Sequence, residues 1–237
     1  MRKLAFFVEG TSEMLFIEKL ICEVAEVKDI HITKKRIRGG GKSGKTPKTI
    51  TEVDAVREVS GEQFFVLIFD CGNDRLVAQR LRDEHPSLTA AGYEKIVGVR
   101  DVRPDFTRDE IPQLERGMRY ALKTSLAPVV FILSTMEVEA WFLAEYNHYE
   151  KVHPELTVDL VESSLGFNPR TFDSGARENP TEDMTNVYAL KGVDYAKSNV
   201  QATIDKLDFD FIYTELVQSV PELGRLSAVI DEFLTPH

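Results

Sequence analysis

Leu4-Ala5-Phe6-Phe7-Val8 is an unbroken apolar run that ends in Glu9-Gly10-Thr11-Ser12-Glu13. Phe64-Phe65-Val66-Leu67-Ile68-Phe69 is a second such run, ending in Asp70-Cys71-Gly72-Asn73-Asp74. A short apolar run bounded by turn-forming residues fits a strand buried on both faces, as in parallel sheets. Behind the first run, Met14, Leu15, Ile17, Leu20, Ile21 and Val24 recur at helical spacing, predicting a helix over 12–26. Strand followed by helix is the opening of a βαβ unit, and the rest of the chain repeats the theme.

Ile30 to Ile37 alternates and reads as a polar edge strand, and 51–59 as a short helix. A helix is expected from Asn73 to His85, stopped at Pro86. A strand over 96–102, a helix over 109–124, a strand over 129–133 and a helix over 136–146 complete the alternation. From about residue 150 the pattern changes. The stretch 165–186 is rich in Asn, Pro, Gly, Ser and Asp and reads as loop, with helices expected at 204–207, 211–220 and 223–234. The expected fold is α/β: a Rossmann-like, mostly parallel sheet with helices on both faces. Residues 1–150 would form the core, and 151–237 a helical C-terminal appendage packed on it.

The 237 residues suffice for one good core with a small satellite. No apolar run approaches the roughly 20 residues that span a membrane. The N-terminal run is also too short for a signal peptide. The expectation is a cytoplasmic chain with no membrane partner. Cys22 and Cys71 are far apart and lack metal-type spacing, so both are expected as reduced thiols. No H-E-x-x-H pattern occurs among the histidines, which argues against zinc. The net charge of −10 argues against general coating of nucleic acid. Yet Lys34, Lys35, Arg36, Arg38, Lys42, Lys45 and Lys48 crowd one acid-free stretch, which reads as a local phosphate contact or as a solvated basic loop. Arg100, Arg103 and Arg108 form a smaller basic group.

Carboxylates at the C-terminal ends of parallel strands stand where open α/β sheets build sites. Taken singly, Asp70, Asp74 and Glu13 read as helix caps or dipole partners. Taken together, Glu9, Glu13, Asp70 and Asp74 make an oxygen-rich cluster suited to Mg²⁺ or Mn²⁺. Glu137 and Glu139 follow a third apolar strand. Within a helix they would point about 200° apart, so both reach one site only if 135–138 is extended. Trp141 shares a stripe with Val138 and Phe142 and reads as core. Such a cluster suits metal-assisted phosphoryl transfer.

These blocks resemble the Toprim fold of topoisomerases, bacterial primases and OLD-family nucleases. FFVEGTSEMLFIEKL (6–20) is similar to the opening of OLD-type Toprim proteins, which implies that Glu9 is the family's invariant acid and Glu13 its partner. VLIFDCGND (66–74) is similar to the second, D-x-D-x-D motif, with Gly72 where the middle acid stands. STMEVEAWFLAE (134–145) resembles the E-x-E-x-W segment of small stand-alone Toprim proteins that accompany an ATPase. YAKSNVQATIDKLDF (195–209) is similar to their Y-x-K segment.

The resemblance implies a Toprim-like, metal-dependent nuclease acting on DNA or RNA, with a defence role beside an ATPase partner. Its catalytic residues would be Glu9, Glu13, Asp70, Asp74, Glu139 and Lys197, with Glu137 a further metal ligand. The 34–48 loop would hold the phosphate backbone. Gly72 leaves open a degenerate site serving a non-catalytic nucleic-acid- or ATPase-binding module. Gly39 to Thr46 also matches the P-loop pattern G-x-x-x-x-G-K-[ST], with Asp70 as a Walker-B-like acid. The polar strand before it and Pro47 after it weaken that NTPase alternative.

Overall fold

The structure is a computed structural model that describes residues 1–25, 29–40, 46–57 and 63–235. The chain divides into two compact units. The first comprises 1–133 with 229–237, and the second comprises 134–228. The division falls at the final residue of the last strand, ahead of the boundary expected near residue 150, and the end of the last helix belongs to the first unit.

The fold is α/β, with a six-stranded, mostly parallel sheet in the order β3-β2-β4-β1-β5-β6. Its strands are β1 (Arg2–Val8), β2 (Ile30–Arg38), β3 (Thr49–Arg57), β4 (Phe64–Asp70), β5 (Lys95–Asp101) and β6 (Val129–Ser134). β1 lies between β4 and β5 and runs parallel to both. Leu4 to Val8 have no exposed surface, as expected of a central parallel strand. Leu4, Phe6, Phe7 and Val8 each contribute about 1.5–3 kcal/mol through burial.

Strand alternation sends Ala5, Phe7, Leu67 and Phe69 to one face. There they pack with Val77 and Leu81 of helix α2 (Asp74–Ala90) and with Leu114 and Met118 of α3 (Ile111–Arg119). Phe7 and Phe69 stack with ring centroids 4.7 Å apart. α1 (Thr11–Ala25) packs against β2 and β4, burying Met14, Phe16, Ile17, Leu20 and Ile21. Phe233, from the helix Pro221–Leu234, meets Phe64 edge-on.

Several boundaries differ from expectation. Residues 49–57 form strand, not helix, and pair antiparallel along β2, so β2 is interior and β3 takes the edge. Thr49, Ile50, Thr51 and Val53 favour a strand once a partner is present. α2 runs past Pro86 to Ala90. Leu88 is buried in the core and His85 Nε2 lies 2.8 Å from Ala127 O, contacts that offset the proline's cost of about 3 kcal/mol. The expected loop at 165–186 contains the start of a helix, Pro180–Ala189, with proline in its first turn and Glu182 and Asp183 behind it. Gly39 and Gly40 follow β2 and Thr46 precedes β3, with Gly40 N donating to Thr46 O at 2.9 Å. A P-loop needs a helix after its Thr, and here a strand follows, so the NTPase reading loses its structural basis. No helix among the described residues is long and apolar enough to cross a membrane.

Candidate metal centre

The chain leaves β1 toward β2 by way of α1, and leaves β5 toward β6 by way of α3. β1 and β5 are neighbours whose connections diverge. The gap at their C-terminal ends is therefore a topological switch point, where open sheets place ligands. Glu9 follows the last residue of β1, and Asp101 is the last residue of β5. Glu13 lies in the first turn of α1, where its Oε2 accepts from Gly10 N at 3.0 Å and so folds back toward the strand end. One carboxylate oxygen from each of Glu9, Glu13 and Asp101 lies within 4.8 Å of the other two. Glu13 and Asp101 are buried.

Asp74 opens α2 and adjoins the cluster. Its Oδ1 accepts from Asp101 N at 3.1 Å, and its side chain hydrogen-bonds Glu9. Burial raises its carboxyl above the ordinary 3.8, although the Glu9 hydrogen bond and Arg100 pull it back. Acids held this close in a desolvated gap favour a shared proton or a cation.

The donor set fits a hard divalent ion. Oxygens bound to one Mg²⁺ are at most about 4.2 Å apart, twice the bond length, which is compatible with three carboxylate oxygens grouped within 4.8 Å.

Asp70 is engaged by arginines. It is buried at the end of β4, directly across from Arg36 in the β2 register. Arg36 Nε donates to it at 2.8 Å, and Arg38 NH1 and NH2 at 3.1 Å each. Gly72 has φ +88°, and a Cβ there would stand 3.1 Å from Arg38 NH1. An aspartate at this position would be strained.

Glu137, Glu139 and Lys197 lie in the second unit, and the structure brings them together. The helix begins only at Glu139, so Glu137 precedes it and the two are not fixed on opposite faces. Lys197 Nζ is 3.1 Å from Glu137 Oε1 and 3.6 Å from Glu139 Oε2. Thr181 Oγ1 donates to Glu137 Oε2 at 2.5 Å, and Tyr195 OH donates to Glu139 Oε1 at 2.9 Å.

Burial raises the Glu139 carboxyl above its ordinary 4.5, against the pull of Lys197. The folded state thus holds this proton more tightly than the unfolded one, and the resulting stability is lost as pH rises through the raised value. Melting temperatures of wild type and Glu139→Gln should therefore diverge in the variant's favour above pH 4.5. Parallel curves would contradict the shift.

Of the basic run, Lys34 pairs with Glu18 at 2.6 Å and Asp54 at 3.4 Å. Arg36 and Arg38 hold Asp70, and Lys48 pairs with Glu84. Lys35 is half-buried. Lys42 and Lys45 lie outside the described residues. Cys22 and Cys71 are free thiols, and burial pushes the Cys71 thiol up to about 12, which leaves it unreactive.

Asp101, Asp105 and Arg75 were not singled out by the sequence, and Tyr195 entered only as the first residue of the Y-x-K segment. Asp101 ends an apolar strand as Glu9 and Asp70 do, which was the available signal. Ending the strand at Val102 placed it inside.

No family model matches the chain, and no curated protein matches it. Among solved structures it is similar to the crystal structure of a hypothetical protein from Pyrococcus horikoshii OT3. Identity is 11% and the TM-score 0.50, over 99% of this chain and 100% of that one. At that identity the likeness is one of fold, and it extends along nearly the whole chain.

Proposed function

We propose that the chain is a metal-dependent nuclease that hydrolyses phosphodiester bonds of DNA or RNA, with Mg²⁺ or Mn²⁺ held by Glu9, Glu13 and Asp101. The observation that carries this reading is the meeting of those three carboxylates at the switch point between β1 and β5. The Toprim resemblance of residues 6–20 agrees with it and supplies the substrate class. Through the same resemblance we propose a cytoplasmic defence role beside an ATPase partner.

A divalent ion at this site supplies Lewis acidity toward a phosphoryl oxygen and an attacking water. The protein's own part is to hold the acids at the sheet edge and keep them desolvated. Burial raises the Asp74 carboxyl against the pull of its hydrogen bond to Glu9, which suits it to hold and release a proton beside them. In the second unit, Lys197 is a half-exposed cation balanced by two glutamates, one of them deeply buried.

The double ion pair on Asp70 favours a second reading, a binding module with a decayed site. Cleavage assays separate the two. With Mg²⁺ or Mn²⁺, wild type should cut single- or double-stranded DNA or RNA, and Glu9→Ala should lose that cutting while keeping its melting temperature within a few degrees. Absence of cutting with either metal, or equal cutting by Glu9→Ala, would remove the nuclease reading.

A further inference from the structure

A nuclease needs a cationic contact for the phosphate backbone. Lys34, Arg36, Arg38 and Lys48, which the sequence suggested for it, are already paired with acids. A different cationic pair adjoins the acidic cluster. Arg75 directly follows Asp74 in the first turn of α2, and Arg100 directly precedes Asp101 at the end of β5. Both converge on one carboxylate. Arg75 Nε and NH2 form a two-pronged pair with Asp105 Oδ2 and Oδ1, at 2.9 and 2.7 Å. Arg100 NH2 reaches Asp105 Oδ2 at 3.3 Å.

The two arginines differ in a telling way. Arg75 is largely exposed, with 78% of its side-chain surface accessible, while Arg100 has only 8%. Arg100 Nε is buried and donates to no acceptor among the described residues. A buried guanidinium N–H without an acceptor is costly, so Asp105 does not meet all that Arg100 can donate to. Phe106 braces this side chain, its ring centre 5.5 Å from Arg100 Cζ. The pair sits at the positive end of α2, which adds to its preference for anions.

We propose that Arg75 and Arg100 are the phosphate grip of the first unit, binding a phosphodiester backbone, and that Asp105 keeps the grip closed by standing in the phosphate's place. A carboxylate and a phosphate offer the same paired oxygens to a guanidinium fork, so one replaces the other. The Arg75–Asp105 pair is exposed on its arginine side and worth little in water, so displacing it is cheap. The nuclease reading supplies the identity of the anion, while the arginine pair stands on its own geometry.

The test is fluorescence anisotropy of a labelled single-stranded oligonucleotide in EDTA, with no metal and no cleavage. Asp105→Asn should bind up to about five-fold tighter than wild type, the range of one exposed ion pair. Arg75→Ala should bind more weakly and lower the slope of log Kd against log salt by about 0.7. Arg100→Lys should also bind more weakly, because lysine keeps the charge without the fork. Absence of binding by wild type, or unchanged binding by Asp105→Asn and Arg75→Ala, would overturn the proposal. Binding that changes as expected in a protein that never cuts would sink the nuclease reading alone. Cutting with unchanged binding in the variants would sink the grip alone.

Discussion

Asp101→Asn is expected to abolish metal-dependent cleavage, lowering kcat/KM by more than about 100-fold. The bound is conservative, because removing a residue that merely supports a metal ligand commonly costs 10- to 100-fold. Asp101 supplies one of the three oxygens that meet at the switch point, so its loss acts on the ion itself. Asparagine keeps the shape and a carbonyl oxygen while removing the charge. The backbone N–H of Asp101 still reaches Asp74, so the end of β5 should stay in place. A kcat/KM within a few-fold of wild type would place the chemistry elsewhere.

Asp70→Ala should behave in the opposite way. Asp70 is buried and accepts three hydrogen bonds from Arg36 and Arg38. Removing it strands two guanidiniums at the end of β2, one of them more than a third exposed and the other nearly half. That exposure softens the penalty, and a loss of about 3 kcal/mol is expected. For a chain of this size it corresponds to a fall in melting temperature of roughly 6–12 °C. Affinity for Mn²⁺ should remain within a few-fold of wild type. Thermal denaturation and metal titration of the same sample read both quantities. A stable variant that has lost the metal would reinstate Asp70 as a ligand.

The contrast between these two aspartates shows where reading the sequence runs out. Both end strands, and both belong to short apolar runs followed by turn residues. What separates them is the neighbouring strand. β2 lies beside β4 and sets Arg36 opposite Asp70, whereas β5 lies beside β1 and sets Asp101 near Glu9. Strand order is a long-range property, and no spacing along the chain encodes it.

The strands themselves were legible for the reason that makes them stable: β1 and β4 are buried on both faces and so read as continuous apolar runs. β3 was not, because TITEVDAVR has no strict alternation and becomes a strand only through β2. Glu9 and Glu13 were legible as a pair, since both fall in the few residues between a buried strand and the first turn of the helix behind it. Glu137 and Glu139 were legible as acids just past a third apolar strand, and Lys197 only through the resemblance. Their meeting depends on a helix that starts at Glu139 and not at Met136, a difference of less than one turn. The tie between Arg75, Arg100 and Asp105 joins α2, β5 and the loop behind it, and nothing local announced it.

The central claim is that Glu9, Glu13 and Asp101 form one divalent-cation site. Its most direct test is an isothermal titration with Mn²⁺ on wild type, Asp101→Asn and Asp70→Asn. One saturable site in wild type, lost in Asp101→Asn and kept in Asp70→Asn, is the predicted result. Absence of saturable binding in wild type, or equal binding by Asp101→Asn, would contradict it.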